Sequence, residues 1–154
     1  MDEEALRWLA PLGFGVLFVA LWIGTFQVVA RVGGWRELAA AYPPLGITGA
    51  GLGETFRMRS LQLRRGMNYN HCVTLTAGPT ALRLALPRIF AWGHPPIEVP
   101  WSEITTEAGR AWLVPIVTLH CARVPAAPVR LPRGLARRLA QASGGQLPLP
   151  AEGA

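Results

Sequence analysis

The pattern of apolar and polar positions divides the chain into three regimes. In the first, nothing alternates. Leu9 to Ala30 reads LAPLGFGVLFVALWIGTFQVVA, 22 residues with no charged side chain. A helix of that length rises about 33 Å, enough to cross the hydrocarbon core of a bilayer. Trp8 precedes the run and Trp35 follows it, where amphipathic aromatics favour the interface. Pro11 falls in the first turn, where its missing N–H costs least. Gln27 is the one strongly polar residue and lies towards the C-terminal end. A cleaved signal peptide would open with positive charge, whereas this chain opens Met-Asp-Glu-Glu, and Val29-Ala30-Arg31 is a poor cleavage site. A buried soluble helix would need a larger domain around it than the remaining residues supply.

The second regime is short. Beyond Gly33-Gly34, Trp35, Leu38, Ala39 and Tyr42 recur at helical spacing and predict a two-turn helix over 35–42, in the interface or packed on a domain. Pro43-Pro44 ends it, and residues 45–53, with Gly46, Gly49, Gly51 and Gly53, read as a flexible link.

In the third regime the period becomes two. Leu61 and Leu63 oppose Ser60, Gln62 and Arg64, and Arg65–Asn68 predicts a turn. His71, Val73 and Leu75 oppose Cys72, Thr74 and Thr76; Leu82, Leu84 and Leu86 oppose Ala81, Arg83 and Ala85. Such alternation implies strands with one covered and one wet face. Pro87–Pro96 is a longer connection, with Ile89, Phe90 and Trp92 expected to tuck onto the core. Further strands are expected at 97–99, 101–105, within 111–121 and at 129–131, with Gly109 as a turn residue and Pro115 marking a bend or an edge. From Pro132 the period returns to helical: Leu135, Leu139 and Ala142 share a face from which Arg133, Arg137 and Arg138 point away. The expected fold is mainly β, a small barrel of six or seven antiparallel strands with one C-terminal helix, preceded by one transmembrane helix. The divisions are a tail 1–8, a membrane helix 9–30, a juxtamembrane stretch 31–53, a β domain 54–143 and a disordered tail 144–154.

Charge adds an orientation. All 15 basic residues are arginine against 9 acids, a net +6. Arg7 with three acids stands before the apolar run, and Arg31 and Arg36 stand just after it. The bias puts the C-terminal domain in the cytoplasm and the short N-terminus outside. The arginine-rich domain could sit against anionic lipid or nucleic acid, or the excess could serve solubility alone.

Candidate chemistry is sparse. His71-Cys72 and His120-Cys121 invite a metal or thiol reading, but adjacent strand residues face opposite ways and neither pair chelates one ion readily. His94 in Gly-His-Pro-Pro reads as a turn residue. Glu103 and Glu107 would lie about 13 Å apart on a regular strand, too far for a paired carboxylate site. Glu98 is also available, but no Cys–His pairing has a third group to orient it. Trp101 and Ile104 read as core, and Trp112, beside Arg110, as the better exposed aromatic.

The segments NHCVTLT (70–76), TALRLAL (80–86) and PPIEVPWSEI (95–104), followed by the basic-faced helix 133–142, resemble a bacterial pleckstrin-homology-like (PH-like, or GRAM-like) domain with an N-terminal anchor. Gly34–Tyr42 is similar to the anchor-proximal element of small bacterial membrane proteins. The resemblance implies a domain that binds lipid head groups, peptides or other proteins. The expected function is a non-enzymatic module at the cytoplasmic face of the inner membrane, without cofactor, that presents its domain to a protein partner. Anionic-lipid binding by arginines 57–65 and a metal or thiol site at His71/Cys72 and His120/Cys121 are the alternatives. Head-group-binding members carry a basic cluster on the first hairpin, which here maps to Arg57, Arg59, Arg64 and Arg65. Arg133, Arg137 and Arg138 are further candidate lipid or partner contacts. A nucleic-acid partner is not expected, because the basic surface is modest and lacks aromatic platforms.

Overall fold

The computed structural model describes residues 3–45 and 53–151. The glycine-rich link read at 45–53 therefore lies, from 46 to 52, outside the described residues. Helix α1 (Glu3–Val32) contains the whole apolar run. By length and composition it is able to cross a membrane. Gly33 and Gly34 then break the helix, and Gly34 has a positive φ of 86° that glycine adopts without strain. A Cβ on Gly34 would stand 2.9 Å from the Ala127 side chain, so the turn is also a close approach. Helix α2 (Trp35–Ala41) follows.

Seven antiparallel strands make one sheet: β1 (Glu54–Gln62), β2 (Asn68–Ala77), β3 (Ala81–Ala85), β4 (Ile97–Pro100), β5 (Ile104–Ala111), β6 (Val114–Cys121) and β7 (Val129–Pro132). Their order is β4-β3-β2-β1-β7-β6-β5. The sheet curls into a half-barrel, capped by helix α3 (Arg133–Ala142), a PH-like arrangement. β1 and β7 meet only at Gln62 and Arg130, so the sheet splays open along that seam.

The alternating leucines behave as expected. Leu61, Leu63, Val73, Leu75, Leu82 and Leu84 are all buried, as are Leu135 and Leu139 of α3. Trp101 and Ile104 are core, and the Trp101 indole N–H donates to the Gly78 carbonyl at 2.9 Å. α2 belongs to this core rather than to an interface. Trp35, Leu38 and Tyr42 are buried, and the Trp35 indole N–H donates to the Pro95 carbonyl at 2.9 Å. A domain boundary at 54 thus leaves out part of the core.

Several expectations are corrected. β1 begins at Glu54, ahead of the alternating run, because a bulge between Phe56 and Arg59 breaks the period there. β2 begins at Asn68, inside the expected turn. His71 leaves the face of Val73 and Leu75: its φ of 51° rotates it outward, and it is exposed. Gly109 lies within β5, and the hairpin turns instead at Trp112-Leu113. Ile89 and Trp92 do not tuck onto the core but stand 62% and 53% exposed. The segment after α3 is docked through Ala151. Leu147 is buried in the core, and the Gln146 amide donates to the Pro79 carbonyl at 2.7 Å.

Candidate functional site

Among the described residues, three other than glycine have a positive φ: Met58 (54°), His71 (51°) and Trp112 (58°). A left-handed backbone costs a bulky residue about 1 kcal/mol or more, so surrounding structure must hold each one. Two of them line a single groove. It has a volume of about 360 Å³ and lies between the bulge of β1, its neighbour β2 and the first turns of α3. Met58, Arg59, Ser60 and His71 form one wall; Pro132, Gly134, Leu135 and Arg138 form the other. The wall is braced locally. The His71 backbone N–H donates to Ser60 Oγ at 2.9 Å, and Ser60 Oγ lies 3.1 Å from His71 Nδ1. Arg59 contributes a specific anomaly: its Nε is buried and, among the described residues, has no hydrogen-bond partner. Among the described residues no carboxylate lines the groove.

A second concavity shares Ser60 and Pro132 with the first and continues along the β1–β7 seam to Ala111. The next residue is Trp112, 97% exposed, followed by Leu113 at 92%. They form a two-residue hairpin turn whose first position has positive φ, where glycine is the favoured residue. Tryptophan at that place violates the local rule, and such violations gather at functional sites.

The structure separates the seven candidate arginines. Arg59 and Arg138 come together across the groove, and Arg57 is exposed on the bulge beside them. Arg64 is turned the other way, against the helix junction. Its guanidinium is bidentate to Glu37, at 2.9 and 3.0 Å, and reaches the Arg31 and Val32 carbonyls at 3.4 Å. Arg65 occupies the middle of the same short turn, Arg64–Gly66. Arg133 and Arg137 flank Val117 and the docked Leu149-Pro150 segment. Arg64 of the first hairpin thus holds the junction of α1 and α2.

The three carboxylates considered for chemistry are each paired. Glu98 pairs with Arg83 at 3.4 Å and accepts from the Leu45 N–H at 3.1 Å. Glu103 pairs with Arg123 at 2.7 Å, and that hydrogen bond lowers its carboxyl below the usual range. Glu107 pairs with His120 at 3.2 Å. Arg123 also donates to the Ala41 carbonyl and lies over the Tyr42 ring, while its backbone N–H donates to the Tyr42 hydroxyl. Tyr42 is raised, chiefly by burial. Cys121 is buried and its thiol is pushed up to about 12; Cys72 is half-buried and also raised. No group of three or more His, Cys, Asp or Glu gathers for a metal among the described residues. His94 is no simple turn residue. It is 1% exposed, lies 3.0 Å from the Tyr69 hydroxyl and bonds the Trp92 carbonyl through Nδ1, and burial lowers its pKa. With Trp35 and Tyr69 it forms an aromatic cluster with ring centroids 5.3–5.5 Å apart.

Sequence reasoning singled out Trp112 and the arginines but missed the groove. Its formation depends on two bulged residues, Met58 and His71, and while histidine is enriched at positive φ, nothing local marks methionine for it. Compared with known protein families, curated proteins and solved structures, the chain finds no match.

Proposed function

We propose that this is a non-enzymatic interaction module, anchored in the bacterial inner membrane by α1, which presents its PH-like domain to a protein partner on the cytoplasmic side. One observation carries the proposal. The backbone strain falls at the two ends of one continuous surface: Met58 and His71 at the groove, Trp112 at the tip. An exposed tryptophan at one end of a surface that carries arginines at the other has the composition of a protein-binding hot spot. Trp112 and Leu113 would fill an apolar pocket of the partner, while Arg59 and Arg138 would meet acidic side chains. The cytoplasmic orientation draws on Arg31 and Arg36 after α1 against Arg7 among acids before it.

The experiment compares the full chain with a variant carrying Trp112→Gly, Arg59→Ala and Arg138→Ala, both extracted in mild detergent and sized as native assemblies. The wild type is expected in a larger assembly that the variant loses while its circular dichroism is unchanged. Identical assembly sizes would reject this surface as the contact.

The buried, unpartnered Nε of Arg59 favours a second reading, an anionic head group in the groove. That reading requires the detergent-solubilised chain to bind a soluble glycerophosphate head group in a salt-sensitive way, with Arg59→Ala and Arg138→Ala abolishing it.

A further inference from the structure

The connection between β3 and β4 is split: His94 packs on Tyr69 of β2, whereas Arg88–Trp92 does not fold back onto the sheet. Phe90 instead packs on α1, its ring centroid 6.3 Å from Trp22 and 5.7 Å from Phe26. His94 meets Phe26 edge-on at 6.1 Å. Gly93 lies so close to Gln27 that a Cβ there would stand 2.8 Å from Gln27 Oε1. The one strongly polar side chain of the apolar run is thus turned to this loop.

Given a bilayer around α1, as proposed above, these contacts set a depth. At 1.5 Å per residue, Phe26 lies about 6 Å and Trp22 about 12 Å inside the Ala30 end of the apolar run. A loop level with them could stay in water only if the hydrocarbon boundary lay before Trp22. That would leave Leu9–Leu21, about 20 Å of helix, to cross a core of about 30 Å. The span is too short, so the boundary must lie beyond Trp22 and the loop must meet lipid.

We infer that Arg88–Trp92 inserts into the leaflet from which α1 emerges, so that the domain grips the bilayer at two points. The chemistry of the loop suits that place. Ile89 and Trp92 are 62% and 53% exposed, apolar and interfacial side chains that the protein leaves largely uncovered. Arg88 is exposed beside them and can extend its guanidinium to the phosphates while its stem stays apolar. Part of the loop's backbone is satisfied internally, which eases its entry into lipid. Phe90 N–H donates to the Pro87 carbonyl at 2.8 Å, Ala91 N–H to Arg88 at 3.3 Å and His94 N–H to Ala91 at 2.9 Å. Its base is pinned by the Trp35–Pro95 and Tyr69–His94 bonds, so insertion fixes the tilt of the whole domain.

The test uses the full chain with Cys72→Ser, leaving Cys121 buried. An environment-sensitive fluorophore is attached through Ile89→Cys, Leu17→Cys or Gln141→Cys, in vesicles of phosphatidylcholine and phosphatidylglycerol. All three positions are exposed, so the labels leave the core intact. Iodide in the water should quench position 89 several-fold less than position 141. Lipids bearing a shallow spin label should quench position 89 and spare position 141. Position 17 should be shielded from iodide throughout. If position 89 is quenched like 141 while 17 is shielded, the anchor stands and the inserted loop is wrong. If position 17 is itself open to iodide, α1 does not span and both fail.

Discussion

Replacing Trp35 by Ala tests whether α2 is part of the domain core. The indole is fully buried between Tyr69 and His94, with centroids 5.3 Å from each. Truncation removes an aromatic burial of about 150–250 Å², which together with the cavity left behind costs about 3–5 kcal/mol. It also strands the Pro95 carbonyl that the indole N–H satisfies, adding about 1 kcal/mol. A domain of this size has about 5–15 kcal/mol in total, so Trp35→Ala should be close to unfolded. Trp35→Phe keeps most of the ring volume and loses the hydrogen bond, so it should cost about 1–2 kcal/mol. Urea unfolding of the full chain in detergent, followed by circular dichroism in the strand region, measures both. A cost below about 1 kcal/mol for Trp35→Ala would refute the packing argument and return α2 to the lipid interface.

Three further outcomes are expected. A double-mutant cycle on Arg64→Ala and Glu37→Ala should give a coupling of about 0.5–1 kcal/mol that shrinks with added salt, because the pair is bidentate but partly exposed; zero coupling at low salt would mean that the clamp does not form. The depressed pKa of His94 makes the unfolded chain the stronger proton binder below the ordinary histidine pKa. Stability, measured by urea unfolding between pH 7.5 and 5, should therefore be full above about 6.5 and fall as pH drops, by at most about 1.4 kcal/mol per pH unit, and His94→Gln should flatten that dependence. Trp112→Gly relieves the left-handed strain at an exposed turn, so thermal unfolding should hold or shift upward by up to about 1 kcal/mol, against the usual destabilising sign of a substitution.

Much of the fold was legible because most strands carry one buried face. The leucines at 61, 63, 82 and 84 announce the first sheet half, and Leu135 and Leu139 announce α3. The irregular elements hid themselves for physical reasons. The bulge at Met58 breaks the two-residue period, so the first half of β1 went unread as strand. The β5–β6 turn uses Trp112-Leu113 where turn chemistry would use glycine, so Gly109 drew the expectation instead. Ile89, Phe90 and Trp92 look like core residues by composition, and only the structure separates packing on α1 from packing on the sheet. Arg64 could not be distinguished from its neighbours, because its partners, Glu37 and the end of α1, lie about 30 residues away in the chain. The groove depends on tertiary juxtaposition of β1, β2 and α3, which no local pattern encodes.

The proposed function requires the Trp112 end of the β1–β7 seam to meet a protein. The most direct measurement places a photo-reactive phenylalanine analogue at position 112 of the full chain, irradiates it in native membranes and identifies what it captures. One protein adduct of defined mass is expected, lost when Arg59 and Arg138 become Ala and not formed from position 141 on α3. Adducts to lipid alone, or the same protein adducts from positions 112 and 141, would contradict it.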